Sequence, residues 1–116
     1  MSTNINGVKV IPEEALPFSV IAREFVGEEH GASVTFLLVD APPGTGPSSH
    51  RHPYEEIFIV QEGEATFFLG EESRVVHAGE VVVVPAGQPH AFKNTGDGPL
   101  RQVDIHPSPR FSTEWL

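Results

Sequence analysis

Two histidines one residue apart, His50 and His52, precede a carboxylate, Glu56, in the stretch His50-Arg51-His52-Pro53-Tyr54-Glu55-Glu56. On a β-strand, positions i and i+2 face the same way with Cα atoms roughly 6.6 Å apart, so both imidazoles can converge on one ion. On a helix the same two positions lie on nearly opposite sides. Pro53 stops a helix, and Ile57-Phe58-Ile59-Val60 is β-branched and aromatic, so the flanks call for strand. Glu56 opens that second run and can face the histidine pair across the Pro53-Tyr54 turn. The chemistry these residues point to is coordination of a metal ion by three ligands, with a fourth to come from elsewhere.

The elements that must position such a site are short strands. Val8-Lys9-Val10-Ile11 reads as an edge strand ended by Pro12, after a polar start (1–7) expected to be loose or paired with a partner subunit. Residues 13–17 can hold one helical turn at most, because Pro17 restricts the residue before it. Phe18 to Phe25 reads as extended and Gly27 to Gly31 as a turn. Val34 to Val39 is a strand closed by Ala41-Pro42-Pro43-Gly44. A ladder follows over 49–52, 56–61, 64–69, 73–77, 81–85, 89–94 and 99–106, separated by glycine- and proline-rich turns. Many short strands of this kind indicate an all-β sandwich or barrel. Val81-Val82-Val83-Val84 is expected to be buried on both faces. The tail Pro107 to Leu116 matches neither strand nor helix, yet Phe111, Trp115 and Leu116 are costly to leave in water at about 1.5–3 kcal/mol each. It is expected to pack back on the barrel or across a dimer interface.

Composition bounds the alternatives. The 116 residues, 39% hydrophobic, suit one domain spanning 1–116 with a barrel core over about 33–106. Without cysteine there is no disulfide, thiolate ligand or cysteine nucleophile, which leaves histidine and carboxylate for any metal. Seven basic against sixteen acidic residues give a net charge of −9, which repels phosphate backbones and disfavours nucleic acid. No apolar run reaches the length of a membrane span, and the start lacks a signal-peptide pattern, so a soluble cytoplasmic protein is expected. Edge strands and an apolar sheet face to cover suggest a homodimer.

His90 begins a strand after the turn Pro85-Ala86-Gly87-Gln88-Pro89, just as His52 ends one before another turn. Both segments resemble the cupin family. Its first motif, G-x5-H-x-H-x3-E-x6-G, is met by Gly44, His50, His52, Glu56 and Gly63; its second, G-x5-P-x-G-x2-H-x3-N, by Gly79, Pro85, Gly87, His90 and Asn94. The resemblance covers residues 44–94 and implies a double-stranded β-helix, or jelly-roll barrel, with His50, His52, Glu56 and His90 as metal ligands inside its mouth. Gly63, Gly79 and Gly87 stand where turns call for positive φ, and Asn94 can cap the turn around Thr95 and Gly96.

Three imidazole nitrogens and one carboxylate oxygen suit one divalent ion per chain: Fe, Mn, Co, Ni, Cu or Zn. An octahedral ion would keep two positions open for water, oxygen or substrate, whereas tetrahedral zinc would be closed and structural. Around the ligands, alternation puts Gln102, Asp104 and His106 on one strand face. A solvent-exposed face is the ordinary expectation; turned inward, the three would be groups that support the ligands or move protons. Phe58, Phe92 and Tyr54 are candidates to line an apolar pocket. Arg51 points away from the metal toward a surface ion pair, His30 reads as a solvated turn residue, and His77 as an exposed or edge-strand residue.

No G-x-S-x-G elbow, H-E-x-x-H or P-loop is present. Two classes of function fit. One is a metal-dependent enzyme on a small organic molecule, for which the family offers dioxygenases, isomerases, cyclases and lyases; oxygen-dependent, dioxygenase-like cleavage is favoured. The other is a non-catalytic module that senses or stores a small ligand or its metal.

Overall fold

Runs of β-branched and aromatic residues broken every few positions by glycine or proline satisfy their backbone groups only by pairing with one another. In the computed structural model, which describes residues 3–116, they do so in thirteen strands. These are β1 (Thr3–Ile5), β2 (Val8–Val10), β3 (Phe18–Ser19), β4 (Ala22–Phe25), β5 (Thr35–Ala41), β6 (His50–Arg51), β7 (Glu56–Glu62), β8 (Glu64–Leu69), β9 (Glu72–His77), β10 (Val81–Val84), β11 (Ala91–Asn94), β12 (Leu100–His106) and β13 (Glu114–Trp115). Helical structure among the described residues is limited to single 3-10 turns at Glu13–Ala15 and Gly27–His30. The fold is an all-β jelly roll. A six-stranded sheet in the order β10-β7-β12-β5-β4-β3 faces a three-stranded sheet β11-β8-β9, every pair antiparallel.

The core lies between the two sheets. Phe58 and Val60 of β7 meet Phe67 and Ala65 of β8 and Phe92 of β11, with Val39, Ala41 and Leu100 completing the fill. Phe58 stands edge-on to both Phe67 and Phe92, at centroid distances of 4.9 and 6.0 Å, an arrangement favoured by the ring quadrupoles. Glycine is required where chain segments touch. A side chain on Gly63 would strike the carbonyl of Pro99 and would have to sit at φ +88°; one on Gly46 would strike the carbonyl of Phe92. Asn94 does more than cap its turn: its amide donates to Ala41 O at 2.8 Å and Gly98 O at 2.9 Å, while its oxygen accepts from Gly96 N. It thereby ties β5 to the turn before β12.

Several expectations are corrected. Val81–Val84 is not buried on both faces: β10 is an edge strand, and Val81 and Val83 are 59% and 62% exposed while Val84 points inward. The tail contains a strand, since β13 pairs antiparallel with β6 through Glu114–Arg51 and Trp115–His50. The start of the chain is not loose where it is described; β1 and β2 form a hairpin over Asn6-Gly7, both with positive φ, and residues 1–2 lie outside the described residues. His30 is half-buried rather than solvated, its ring stacked 4.4 Å from Phe25. Among the described residues no helix is long and apolar enough to cross a membrane.

Candidate metal centre

The site is assembled where four strand ends meet. His50 sits on β6 and exchanges two backbone hydrogen bonds of 2.9 Å with His90, which locks the first histidine pair to the second motif. His52 follows directly, and Glu56 opens β7 across the Pro53-Tyr54 bend. All four side chains are buried, and one ligand atom from each can be chosen so that all lie within 4.8 Å of one another. The residues that the spacing singled out are thus gathered around one point.

Their orientation is fixed from behind. Nδ1 of His50 donates to Ser48 O at 2.7 Å, Nδ1 of His52 to Ser112 O at 2.8 Å, and Nδ1 of His90 to Gln88 O at 2.8 Å. A carbonyl can only accept, so each proton must sit on Nδ1, and each Nε2 presents a lone pair to the centre. Glu56 Oε1 lies 3.0 Å from His52 Nε2 and 3.1 Å from His90 Nε2. Yet His52 Nε2, although buried, has no hydrogen bond of acceptable angle. A buried nitrogen left without a partner but converging with two others and a carboxylate is what a cation would satisfy. The donor set fits a borderline divalent metal.

His106 joins them. Its Nε2 lies 3.0 Å from Glu56 Oε2, again without hydrogen-bond geometry, and its Nδ1 is 2.7 Å from the Tyr54 hydroxyl. Tyr54 can give its one proton either to His106 Nδ1 or to Ser112 O at 3.3 Å. In the second arrangement His106 keeps its proton on Nδ1, and its bare Nε2 becomes a fifth donor. In the first, Nε2 carries the proton toward Glu56.

The polar face of β12 therefore looks inward, correcting the expectation of solvent exposure. Gln102, Asp104 and His106 are 1%, 2% and 1% exposed. Register explains it: Asp104 pairs with Phe58 and Gln102 with Val60, so the three share the face of β7 that carries Glu56 and the core. The signal was in the sequence at Leu100-Arg101. Leu100 has the parity of the polar residues and is fully buried, while Arg101 points out. Gln102 Nε2 donates to Asp104 Oδ1 at 2.9 Å.

Burial and neighbours set the charges. Burial alone would raise the Glu56 carboxyl, but the close imidazoles of His106, His52 and His90 outweigh it and hold the group well below the usual carboxylate range. Burial pushes the Asp104 carboxyl well above its ordinary value, and the Glu56 charge adds to the effect against the Gln102 hydrogen bond. Burial lowers His50. Burial would lower His52 too, but its contacts to Glu56 and Ser112 carry it upward.

The cluster opens onto a cavity of about 520 Å³, on which His50, His52, Glu56, His106 and Asp104 all face. Of the expected pocket aromatics only Phe92 lines it. Phe58 lies beneath in the core, and Tyr54 stands behind His106, its ring parallel to His52 at 5.3 Å. The tail supplies the missing wall. Phe111, Thr113 and Trp115 line the cavity, with Trp115 5.0 Å from the His50 ring and Phe111 4.9 Å from His106. Arg51 points outward to Glu114 with two 3.0 Å contacts, and His77 is exposed at the edge of β9.

The sequence profile of the Cupin domain family matches residues 37–106, which takes in all four clustered ligands and His106. The chain belongs to the cupin family. This cupin is 34% identical over 99 residues to the endoribonuclease YbeY of Myxococcus xanthus, a match covering 80% of the chain but only 33% of that protein. Polyketide synthase CurC of Streptomyces cyaneus is 37% identical over 81 residues, 68% of this chain and 52% of its own length. The chain thus spans from a third to about half of these curated relatives. Among solved structures, an oxalate oxidase overlays with a TM-score of 0.72 at 30% identity, over 82% of this chain and 54% of its own.

Proposed function

We propose that this cupin is a metal-dependent enzyme that acts on a small organic molecule, with oxygen-dependent, dioxygenase-like cleavage as its reaction. What carries the proposal is that the ligand cluster is not sealed: it faces a cavity of about 520 Å³, within the range of small-molecule sites. A closed structural zinc site would need no such space. The oxalate oxidase that overlays on this chain is, by its name, an oxidase, which agrees in chemical class.

His50, His52, Glu56 and His90 would hold the ion, with His106 positioned to join them. Such an ion, when bound, supplies Lewis acidity and, for a redox metal, a route for electrons. The chain's own residues do the rest. The three Nδ1 anchors on Ser48, Ser112 and Gln88 carbonyls keep each Nε2 aimed at the centre. Walls formed by Ile21, Leu37, Phe92 and Phe111 exclude water from the reacting atoms. Asp104, whose carboxyl burial pushes well above its ordinary value, accepts from Gln102 through Oδ1 and leaves Oδ2 for a proton. His106, where its Nε2 is not on the ion, can take the Tyr54 proton on Nδ1 and present its own from Nε2 to a ligand in the cavity.

The test is metal analysis followed by oxygen consumption with catechol-like and flavonol-like compounds. The proposal predicts a redox metal and substrate-dependent uptake that falls at least about 100-fold in Asp104→Asn or His106→Gln, the lower end of general acid–base contributions. Stoichiometric zinc without an exchangeable water contradicts it. Tight ligand binding with no uptake would favour a sensing or storage module instead.

A further inference from the structure

Among the described residues every lysine and arginine is placed outside the cavity. None of the seven lysines and arginines lines it. Arg51 is held by Glu114, Arg101 lies 3.6 Å from both Asp40 and Glu62, Arg110 pairs with Glu28, and Arg23 donates to Leu16 O. Lys93 points outward from β11, on the side opposite Phe92. The ionisable groups that do face the cavity, apart from the histidines, are the carboxyls of Glu24, Glu56 and Asp104. Between them the walls are mostly apolar, formed by Ile21, Leu37, Val39, Phe92, Phe111 and Trp115, with Ser19, Thr45 and Thr113 as the only hydroxyl side chains among the lining residues.

Charge counting then limits what can bind. Three neutral imidazoles and the Glu56 carboxylate leave a divalent ion with one net positive charge, enough for one anionic oxygen and no more. A second negative charge on the ligand would sit among mostly aliphatic and aromatic side chains, with a few hydroxyls but no lysine or arginine side chain to meet it, which is unfavourable. We infer that this site takes an organic ligand uncharged in solution, with a large apolar part and at most one oxygen that becomes anionic on the metal, and that it discriminates against small dianions such as oxalate. The inference rests on the open metal site proposed above, and it separates this cupin from the oxalate oxidase it resembles in fold.

The experiment uses the full chain loaded with cobalt(II), whose visible bands report ligands entering the coordination shell. At about pH 8, where imidazole is uncharged, phenylimidazole is titrated in parallel with phenylmalonate, which carries the same ring on a dianion, and with oxalate. Phenylimidazole should bind at least about tenfold more tightly than either dianion. Placing a cation at the rim should narrow that gap. Val20 lines the cavity mouth, is 90% exposed and holds φ +55°, which lysine accepts as readily as valine does. Val20→Lys should therefore strengthen phenylmalonate relative to phenylimidazole by a few-fold at low salt. Dianion binding equal to or tighter than phenylimidazole, or no relative gain in Val20→Lys, overturns the ligand class while leaving the metal function standing. Cobalt that fails to bind, or bands that no probe moves, would remove the open metal site itself and the inference with it.

Discussion

A carboxylate within about 3 Å of three imidazole nitrogens is the residue-scale fact from which the chemistry follows. Glu56 is the one formal charge among the four clustered ligands, so Glu56→Gln keeps the shape and removes the anion. Metal affinity should fall by more than the 10–100-fold typical of losing a supporting contact, as measured by competition with a chromogenic chelator. Asp104 gives a prediction in pH. Its folded pKa lies above the unfolded one, so its stabilising contribution is complete below the ordinary aspartate value and is lost as pH rises through the folded value. In that window the metal-free protein should lose up to about 1.4 kcal/mol of stability per pH unit from this group. Asp104→Asn should flatten that slope, so the variant gains on the wild type as pH rises, read from melts across a pH series. Much of this site was legible in the sequence, because His50, His52, Glu56 and His90 stand at offsets that only strand geometry makes useful. His106 was legible only conditionally, as one of three residues on a face that local alternation does not orient; the buried parity of Leu100 hints at the inward face, and pairing with β7 fixes it.

At the scale of elements, the tail matters more than its two-residue strand suggests. Ser112 O orients His52, Trp115 and Phe111 pack beside His50 and His106, and Arg51–Glu114 clips β13 to β6. Deleting residues 111–116 should lower the melting temperature and weaken metal binding by about 10–100-fold, the range for removing a partner that orients a ligand. Unchanged melting and loading would show the strap to be incidental. Gly46 is the opposite case, a residue defined by what it leaves out. Gly46→Ala would drive a methyl group into the Phe92 carbonyl, and we expect a loss above about 3 kcal/mol in denaturant unfolding, in the tail of single-substitution effects. The strand ladder from β7 onward followed from punctuation alone, with β8 at its expected bounds of 64–69. The β1–β2 hairpin was missed although Asn6-Gly7 is a strong turn signal. The tail strand was missed because two prolines and a serine-threonine run carry no periodicity; it forms only by adding to β6.

For the whole molecule, a metal bound to the folded state alone couples loading to stability. At a free metal concentration 100 times Kd the gain is about 2.7 kcal/mol, roughly 10 °C for a chain of this size, and EDTA should remove it. We propose that the chain forms a homodimer through the exposed Val81 and Val83 edge of β10; light scattering should then give twice the chain mass, Val83→Lys should shift it toward monomer, and monomer alone in the wild type would refute this. The most direct test of the account is the metal content of protein purified without an affinity tag, compared between wild type and His90→Ala at matched circular dichroism. The account predicts one equivalent of a divalent transition metal per chain in the wild type and less than about a tenth of that in the variant. Equal metal in both proteins, or none in either after incubation with excess metal, would contradict it.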